Sequence, residues 1–224
     1  MALAEAIEHE MGHSAIPLPR SIVFVVDDDI SVRESLELLI HSAGWQPQLF
    51  ASAQEFLDRP PAFVPHCLVL DISLPGLNGL DLQKRVVVER PEMPIIFITG
   101  HGDVPKSVQA MKAGAAEFLT KPFADHVMLE ALRHALERSR SSLAEAAELQ
   151  VLKERYASLT LRERQVMKLV VAGLLNKQVG GELEISEITV KAHRGKVMLK
   201  MKADSLPDLV KMAAKLATDS PRRA

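Results

Sequence analysis

Four strand-like segments in this chain each stop on a polar residue of a particular kind. Cys67-Leu68-Val69-Leu70 ends in Asp71, and the segment Ile72-Ser73-Leu74-Pro75-Gly76 that follows cannot continue a strand. Ile22-Val23-Phe24-Val25-Val26 ends in the acidic triplet Asp27-Asp28-Asp29. Ile95-Ile96-Phe97-Ile98 ends in Thr99, and Glu117-Phe118-Leu119-Thr120 ends in Lys121-Pro122. Short apolar runs bounded by turn residues read as buried strands of a parallel sheet. Open α/β sheets hold their chemistry in the crevice at the C-terminal ends of such strands. The pattern therefore predicts a doubly wound α/β domain with an acid pair, a lone Asp, a hydroxyl and a Lys gathered at one sheet edge.

Phosphoryl transfer to a carboxylate is the chemistry that needs this set. Crowded carboxylates repel one another unless a hard cation lies between them. Mg²⁺, which binds through one or two carboxylates plus a phosphate, suits Asp27, Asp28 and Asp71 as ligands. Asp71 can attack phosphorus through its free oxygen, while Lys121 and the Thr99 hydroxyl neutralise charge on the transferred group. Each element also has a plainer explanation. Asp28 and Asp29 precede a helical pattern (Val32, Leu36, Leu39, Ile40) and could cap that helix. Lys121-Pro122 could be an ordinary strand-to-turn junction, and Thr99 before Gly100 a turn residue. The conjunction, in order and at strand ends, favours the chemical reading over these.

The stretch from Ser21 to about Leu136 resembles the receiver domain of two-component response regulators. The resemblance rests on Val25-Val26-Asp27-Asp28-Asp29, Leu70-Asp71 with Leu74-Pro75-Gly76, Ile98-Thr99-Gly100 and Phe118-Leu119-Thr120-Lys121-Pro122-Phe123. It implies a flavodoxin-like fold, Asp71 as phosphoacceptor, and Mg²⁺ on Asp27, Asp28, Asp71 and the Ser73 backbone carbonyl. It further implies that Lys121 contacts the phosphoryl oxygen and that Thr99 and Phe118 form a conformational switch. Leu74 stands where Met is usual, a volume-conserving exchange.

At 224 residues the chain is long enough for two domains, and 47% hydrophobic residues suffice for two packed cores. The single cysteine, Cys67, cannot form an intrachain disulfide, and no apolar run of about eighteen residues suggests a membrane span, so a cytoplasmic protein is expected. Residues 1–20 lack the pattern of a signal peptide and are expected to form a flexible extension. Charge divides the chain. From Ala157 onward 13 Lys and Arg face 7 Asp and Glu, a net of +6, whereas the whole chain is −2. An acidic front suits a metal-binding domain, and a basic tail is the footprint of a domain that meets phosphate backbones.

Residues 137–156, free of Gly and Pro, continue a helical apolar stripe (Leu129, Leu132, Leu136, Leu143, then Leu149 and Leu152) and predict a helical linker. The stripe is shorter than a sustained coiled coil requires, so a solvated connector accounts for it equally well. Beyond it, residues 157–219 read as an all-α four-helix domain. Thr160 with Glu163 makes a capping box that opens a helix to Ala172, closed by Gly173. Asn176 starts a short helix to Leu183, Ser186 caps a longer one to about Lys202, and Leu206–Ala217 ends the set. The turn Glu184-Ile185-Ser186 separates the middle two as in a helix-turn-helix, whose second helix enters the DNA major groove. Residues 220–224 form a short tail.

This region resembles the LuxR-type DNA-binding domain through Leu159-Thr160-Leu161-Arg162-Glu163-Arg164-Gln165-Val166, Gly173 with Asn176-Lys177, and Thr189-Val190-Lys191-Ala192-His193. With the receiver and the segment Thr99-Gly100-His101-Gly102-Asp103-Val104-Pro105, the architecture is similar to FixJ-like regulators of the NarL group. The resemblance implies Glu163 as a scaffold and places Lys191, Ala192 and Gly195 on the recognition face. Thr189, Arg194, Lys196 and Lys177 fall near phosphates. Gly195 inside a helix costs about 1 kcal/mol relative to Ala and offers no side chain for readout. His193 is read as a packed residue.

The implied partners are a sensor histidine kinase, promoter DNA, a second copy of the phosphorylated chain and, for an activator, RNA polymerase; no membrane is involved. The expectation is a phosphorylation-controlled transcription regulator and not an enzyme, apart from slow self-dephosphorylation. Two rivals use the same residues. A Mg²⁺-dependent aspartyl-phosphate phosphatase would need an acid/base carboxylate two residues after Asp71, where Ser73 stands. A phosphorylation-controlled interaction module without DNA would leave the basic tail unexplained.

Overall fold

The computed structural model describes residues 21–100 and 104–219. The expected extension 1–20, the tail 220–224 and His101-Gly102-Asp103 lie outside the described residues. The chain divides into two compact units between Leu143 and Ala144.

The first unit runs β1 (Ile22–Val26), α1 (Ile30–Ser42), β2 (Gln46–Phe50), α2 (Ala53–Leu57), β3 (His66–Asp71), α3 (Gly79–Glu89), β4 (Ile95–Thr99), α4 (Val104–Lys112), β5 (Glu117–Thr120) and the start of α5 (Asp125–Ala157). The five strands form one sheet in the order β2-β1-β3-β4-β5, and every pairing is parallel. Successive side chains on a strand point to opposite faces, and here both faces are apolar. Phe24, Val26, Leu68, Leu70 and Phe97 pack with Phe56 of α2 and with Leu82 and Val86 of α3. Val23, Val25, Cys67, Val69, Ile96 and Ile98 pack with Leu36 and Ile40 of α1 and with Met128, Leu132 and Leu136 of α5. Burial on both faces is why β1, β3 and β4 read as unbroken apolar runs.

The order reverses between β1 and β3. β1 pairs with β2 on one side and with β3 on the other, and the β1–β3 register sets Val26 opposite Leu70. Asp27 and Asp71, one residue further along each strand, therefore meet at the switch point, where doubly wound sheets leave a crevice.

One strand was not foreseen. β2 is Gln-Pro-Gln-Leu-Phe, with two amides and a proline in five residues. It lies at the sheet edge, where proline, lacking a donor, is tolerated.

The stretch 137–156, expected as a helical linker that continues the last helix of the first domain, lies within the 33-residue helix α5. Its two ends belong to different cores. Ser139 is buried in the first unit, its Oγ accepting from the His66 N–H at 3.1 Å. Leu152 is buried in the second unit with Leu159, Met167, Val197, Met201 and Leu209. That unit continues through α6 (Leu161–Val171), α7 (Asn176–Leu183), α8 (Glu187–Met201) and α9 (Leu206–Asp219).

Thr160 and Glu163 form the expected capping box. The Thr160 hydroxyl accepts from the Glu163 N–H at 3.3 Å, and the Glu163 carboxylate accepts from the Thr160 N–H at 2.8 Å. Glu163 is buried and also takes Lys200 Nζ at 2.7 Å, which fastens α6 to α8. The α7–α8 turn is closed by Glu184 in the left-handed region, φ 54°. A Cβ on Gly180 would lie 2.8 Å from the Ile185 carbonyl oxygen, so the turn needs a glycine there to fold back on α7. Among the described residues no helix is long and apolar enough to cross a membrane.

Candidate functional site

Asp27, Asp28 and Asp71 converge at the switch point, with one carboxylate oxygen of each within 4.8 Å of the others. Asp27 is fully buried, Asp71 is 6% exposed and Asp28 faces solvent. The triplet divides its labour. Asp29 caps α1, its carboxylate accepting from the Ser31 N–H at 2.9 Å, while its own N–H donates to Asp27 Oδ1 at 2.9 Å. The plain capping explanation thus holds for Asp29, and Asp28 joins the cluster.

Lys121 is the counter-charge. Its Nζ lies 2.6 Å from Asp27 Oδ2 and 3.8 Å from Asp71 Oδ2. The main chain holds it at the end of β5, where its N–H donates to the Thr99 carbonyl at 2.7 Å. Asp71 Oδ1 is buried and has no hydrogen-bond partner among the described residues. Burial pushes the Asp71 carboxyl above the usual aspartate range. The Lys121 ammonium works against that shift, Asp27 adds to it, and the Ser73 and Ile72 N–H groups reduce it.

These features fit a hard divalent cation: three oxygen donors converge, and one buried carboxylate oxygen lacks a partner among the described residues. Ser73, whose carbonyl was expected as a further ligand, sits in the exposed loop two residues beyond Asp71. Thr99 is buried at the end of β4, next to the β3 end that carries Asp71. Phe118 is half-buried on β5, its ring 6.4 Å from that of Phe97.

Two participants escaped the sequence reading. Arg33 of α1 donates from Nη1 to the Asp27 carbonyl at 2.6 Å. Gly79 opens α3 close against the end of β3. A Cβ there would lie 2.5 Å from the Asp71 carbonyl oxygen and 3.0 Å from Ile72 Cα. The only sequence signal was a Gly just after Asn78, which caps α3 by accepting from the Asp81 N–H at 3.0 Å.

In the second unit the expected residues lie on or near α8. Lys191, Ala192, Gly195 and Lys196 are exposed, on the side away from the buried Val190, Val197 and Met201. Lys191 pairs with Glu187 at 3.1 Å, one turn earlier. Thr189 and Arg194 are half-buried and already engaged. The Thr189 hydroxyl is 2.8 Å from Ser186 Oγ, and Arg194 Nη1 donates to Asn176 Oδ1 at 3.2 Å. Lys177 is exposed on α7. His193 is half-buried, with a buried Nδ1.

Comparison with known proteins agrees with both halves. Residues 23–158 match the response regulator receiver domain, and residues 157–213 match the luxR family of bacterial regulatory proteins. Nodulation protein W of Bradyrhizobium diazoefficiens is 50% identical over 197 residues, 88% of this chain and 87% of that protein. Transcriptional regulatory protein FixJ of the same organism is 44% identical over 191 residues, 85% of this chain and 93% of that protein. Among solved structures, the response regulator StyR superposes with a TM-score of 0.78 at 44% identity, covering 88% of this chain and 99% of that one. The receiver match precedes the luxR-family match along a chain that aligns with these relatives over most of its length, and the chain belongs to the response regulator family whose receiver domain is followed by a luxR-type DNA-binding domain.

Proposed function

We propose that the chain is a transcription regulator switched by phosphorylation of Asp71, with promoter DNA as its target, as the name of its relative FixJ suggests. The observation that carries this reading is Lys121 lying between Asp27 and Asp71 beside a buried Asp71 oxygen that has no partner among the described residues. Asp71 attacks phosphorus of a phosphohistidine on a sensor kinase. The new O–P bond forms as the P–N bond breaks, and the imidazole leaves. Asp27, Asp28, Asp71 and the Ser73 carbonyl would hold Mg²⁺, which supplies positive charge against the phosphoryl oxygens.

Lys121 now contributes to a lysine–carboxylate pair with Asp27. A phosphoryl group on Asp71 brings a charge of about −1.5 to −2 and three strong acceptors, and it draws the ammonium and the Thr99 hydroxyl toward itself. The half-exposed Phe118 turns inward as Thr99 moves. The change remodels the face built by α4, β5 and α5, favours pairing of two receivers, and frees the second unit for DNA. There Lys191, Ala192 and Gly195 face the bases, and Lys177, Thr189, Arg194 and Lys196 lie near phosphates. An activator would also meet RNA polymerase. A regulator is favoured over a phosphatase because the residue two places after Asp71 is Ser73, which is no acid/base at neutral pH.

Intact-mass measurement after acetyl phosphate and Mg²⁺ tests the acceptor. The wild type should gain one phosphoryl group and Asp71→Asn none, because the amide keeps the shape and loses the nucleophilic charge. A full adduct on the Asn variant would move the acceptor elsewhere.

A further inference from the structure

Ile188, the second residue of α8, is 79% exposed and belongs to neither apolar core of its unit. Single exposed apolar side chains are common on protein surfaces and ordinarily mean nothing. This one has a particular setting. Counting from Ile188, the exposed Lys191, Ala192 and Gly195 follow at the third, fourth and seventh positions, so all four share one face of the helix. Ala192 is small, and a Cβ on Gly195 would meet nothing within 4 Å among the described residues beyond its own stretch of helix, so the fold does not demand a glycine there. The middle of the face is therefore flat, with an ammonium group at its edge and a branched apolar side chain projecting at its N-terminal end.

In a helix-turn-helix, the N-terminal residues of the second helix meet base edges. An isoleucine cannot donate or accept a hydrogen bond. Of the groups that base pairs present in the major groove, only the thymine 5-methyl is apolar. We propose that Ile188 is a specificity residue that reads a thymine methyl, with Ala192 and Gly195 letting the helix approach closely enough for the contact. The inference rests on the DNA-binding reading above and adds to it a residue and the base it selects.

The test uses the full-length chain treated with acetyl phosphate and Mg²⁺, and DNA sites that it selects from a random pool. Each thymine of a selected site is replaced in turn by deoxyuridine, which removes only the methyl. At one or two positions the replacement should weaken wild-type binding about three- to fivefold, the amount one buried methyl contributes. Ile188→Ala should bind the thymine site more weakly by a similar factor and be indifferent to deoxyuridine at those positions. Ile188→Val, which keeps a branched methyl pair, should remain sensitive. The proposal is overturned if no thymine shows a methyl effect that depends on residue 188. It is equally overturned if Ile188→Ala binds DNA as the wild type does, whether or not its self-association changes, since the side chain then meets a second copy or another protein. Failure to select any DNA, or to bind random DNA at low salt, would instead bring down the DNA-binding reading itself, and this inference with it.

Discussion

The two units carry their chemistry in opposite ways. In the first, the candidate groups come from three different strand ends, Asp27 after β1, Asp71 in β3 and Lys121 after β5, with the two carboxylates buried and the half-buried Lys121 beside them. In the second, Lys191, Ala192, Gly195 and Lys196 lie along one helix and face solvent. A site that handles a small anion must be preorganised, so its groups already constrain each other in the free chain. A surface that reads an extended partner is completed only by that partner. A substitution in the first region should therefore register in the protein's own stability and switching, and one in the second mainly in binding.

Glycines give the largest contrast. Gly79→Ala would drive a Cβ to 2.5 Å from the Asp71 carbonyl oxygen and should destabilise the first unit by roughly 1–3 kcal/mol, as overpacking does. Gly195→Ala meets nothing within 4 Å and should stabilise the second unit by up to about 1 kcal/mol through helix propensity. Denaturant unfolding of the two variants decides. Equal signs would end the comparison in this form.

Glu163→Ala sharpens it from the other side, because this residue is a preorganised group within the second unit. The substitution removes half of the capping box and the partner of Lys200, at a cost of about 2 kcal/mol. The Lys200 ammonium, ahead of the Thr160 N–H, holds the Glu163 carboxyl below the usual glutamate range. A depressed folded-state value means that the stabilisation is present above the ordinary glutamate pKa and lost as pH falls through the lowered one. The gap in melting temperature between wild type and Glu163→Ala should therefore be full near neutrality and close on acidification below the glutamate range. A gap that widened in acid would refute the ion-pair account.

The smallest effects belong to the exposed lysines. Lys191→Ala should lower discrimination between a selected site and random DNA by about 1 kcal/mol, at the low end for a base contact because Lys191 must first leave Glu187. Lys196→Ala should weaken both DNAs alike and reduce the slope of log affinity against log salt by about one unit. Isotherms at several salt concentrations separate them. An exchange of the two behaviours would mean that α8 is rotated about its axis relative to the face assigned here.

The same contrast explains what the sequence made legible. Strands buried on both faces leave unbroken apolar runs, so β1, β3, β4 and the residues at their ends stood out. Edge strand β2, with Pro47 and two glutamines, leaves no such run. The division between Asp28 and Asp29 is a matter of backbone geometry at the start of α1, which composition does not encode. Gly79 is needed because two segments approach in space, and a single Gly carries no sign of that. In the second unit the helix limits were legible because caps are local: Thr160 with Glu163, Gly173 and Ser186 each mark an end. The engagement of Arg194 by Asn176, eighteen residues away, was not.

The central claim is that a phosphoryl group on Asp71 governs DNA binding. Affinity of the full-length chain for a selected site, with and without acetyl phosphate and Mg²⁺, in wild type and in Asp71→Asn, tests it most directly. The wild type should bind about tenfold or more tightly after the phosphodonor, within the usual range of coupling between two sites, and Asp71→Asn should not respond. A phosphodonor response in Asp71→Asn equal to that of wild type, or none in a wild type whose mass shows the adduct, would contradict the account.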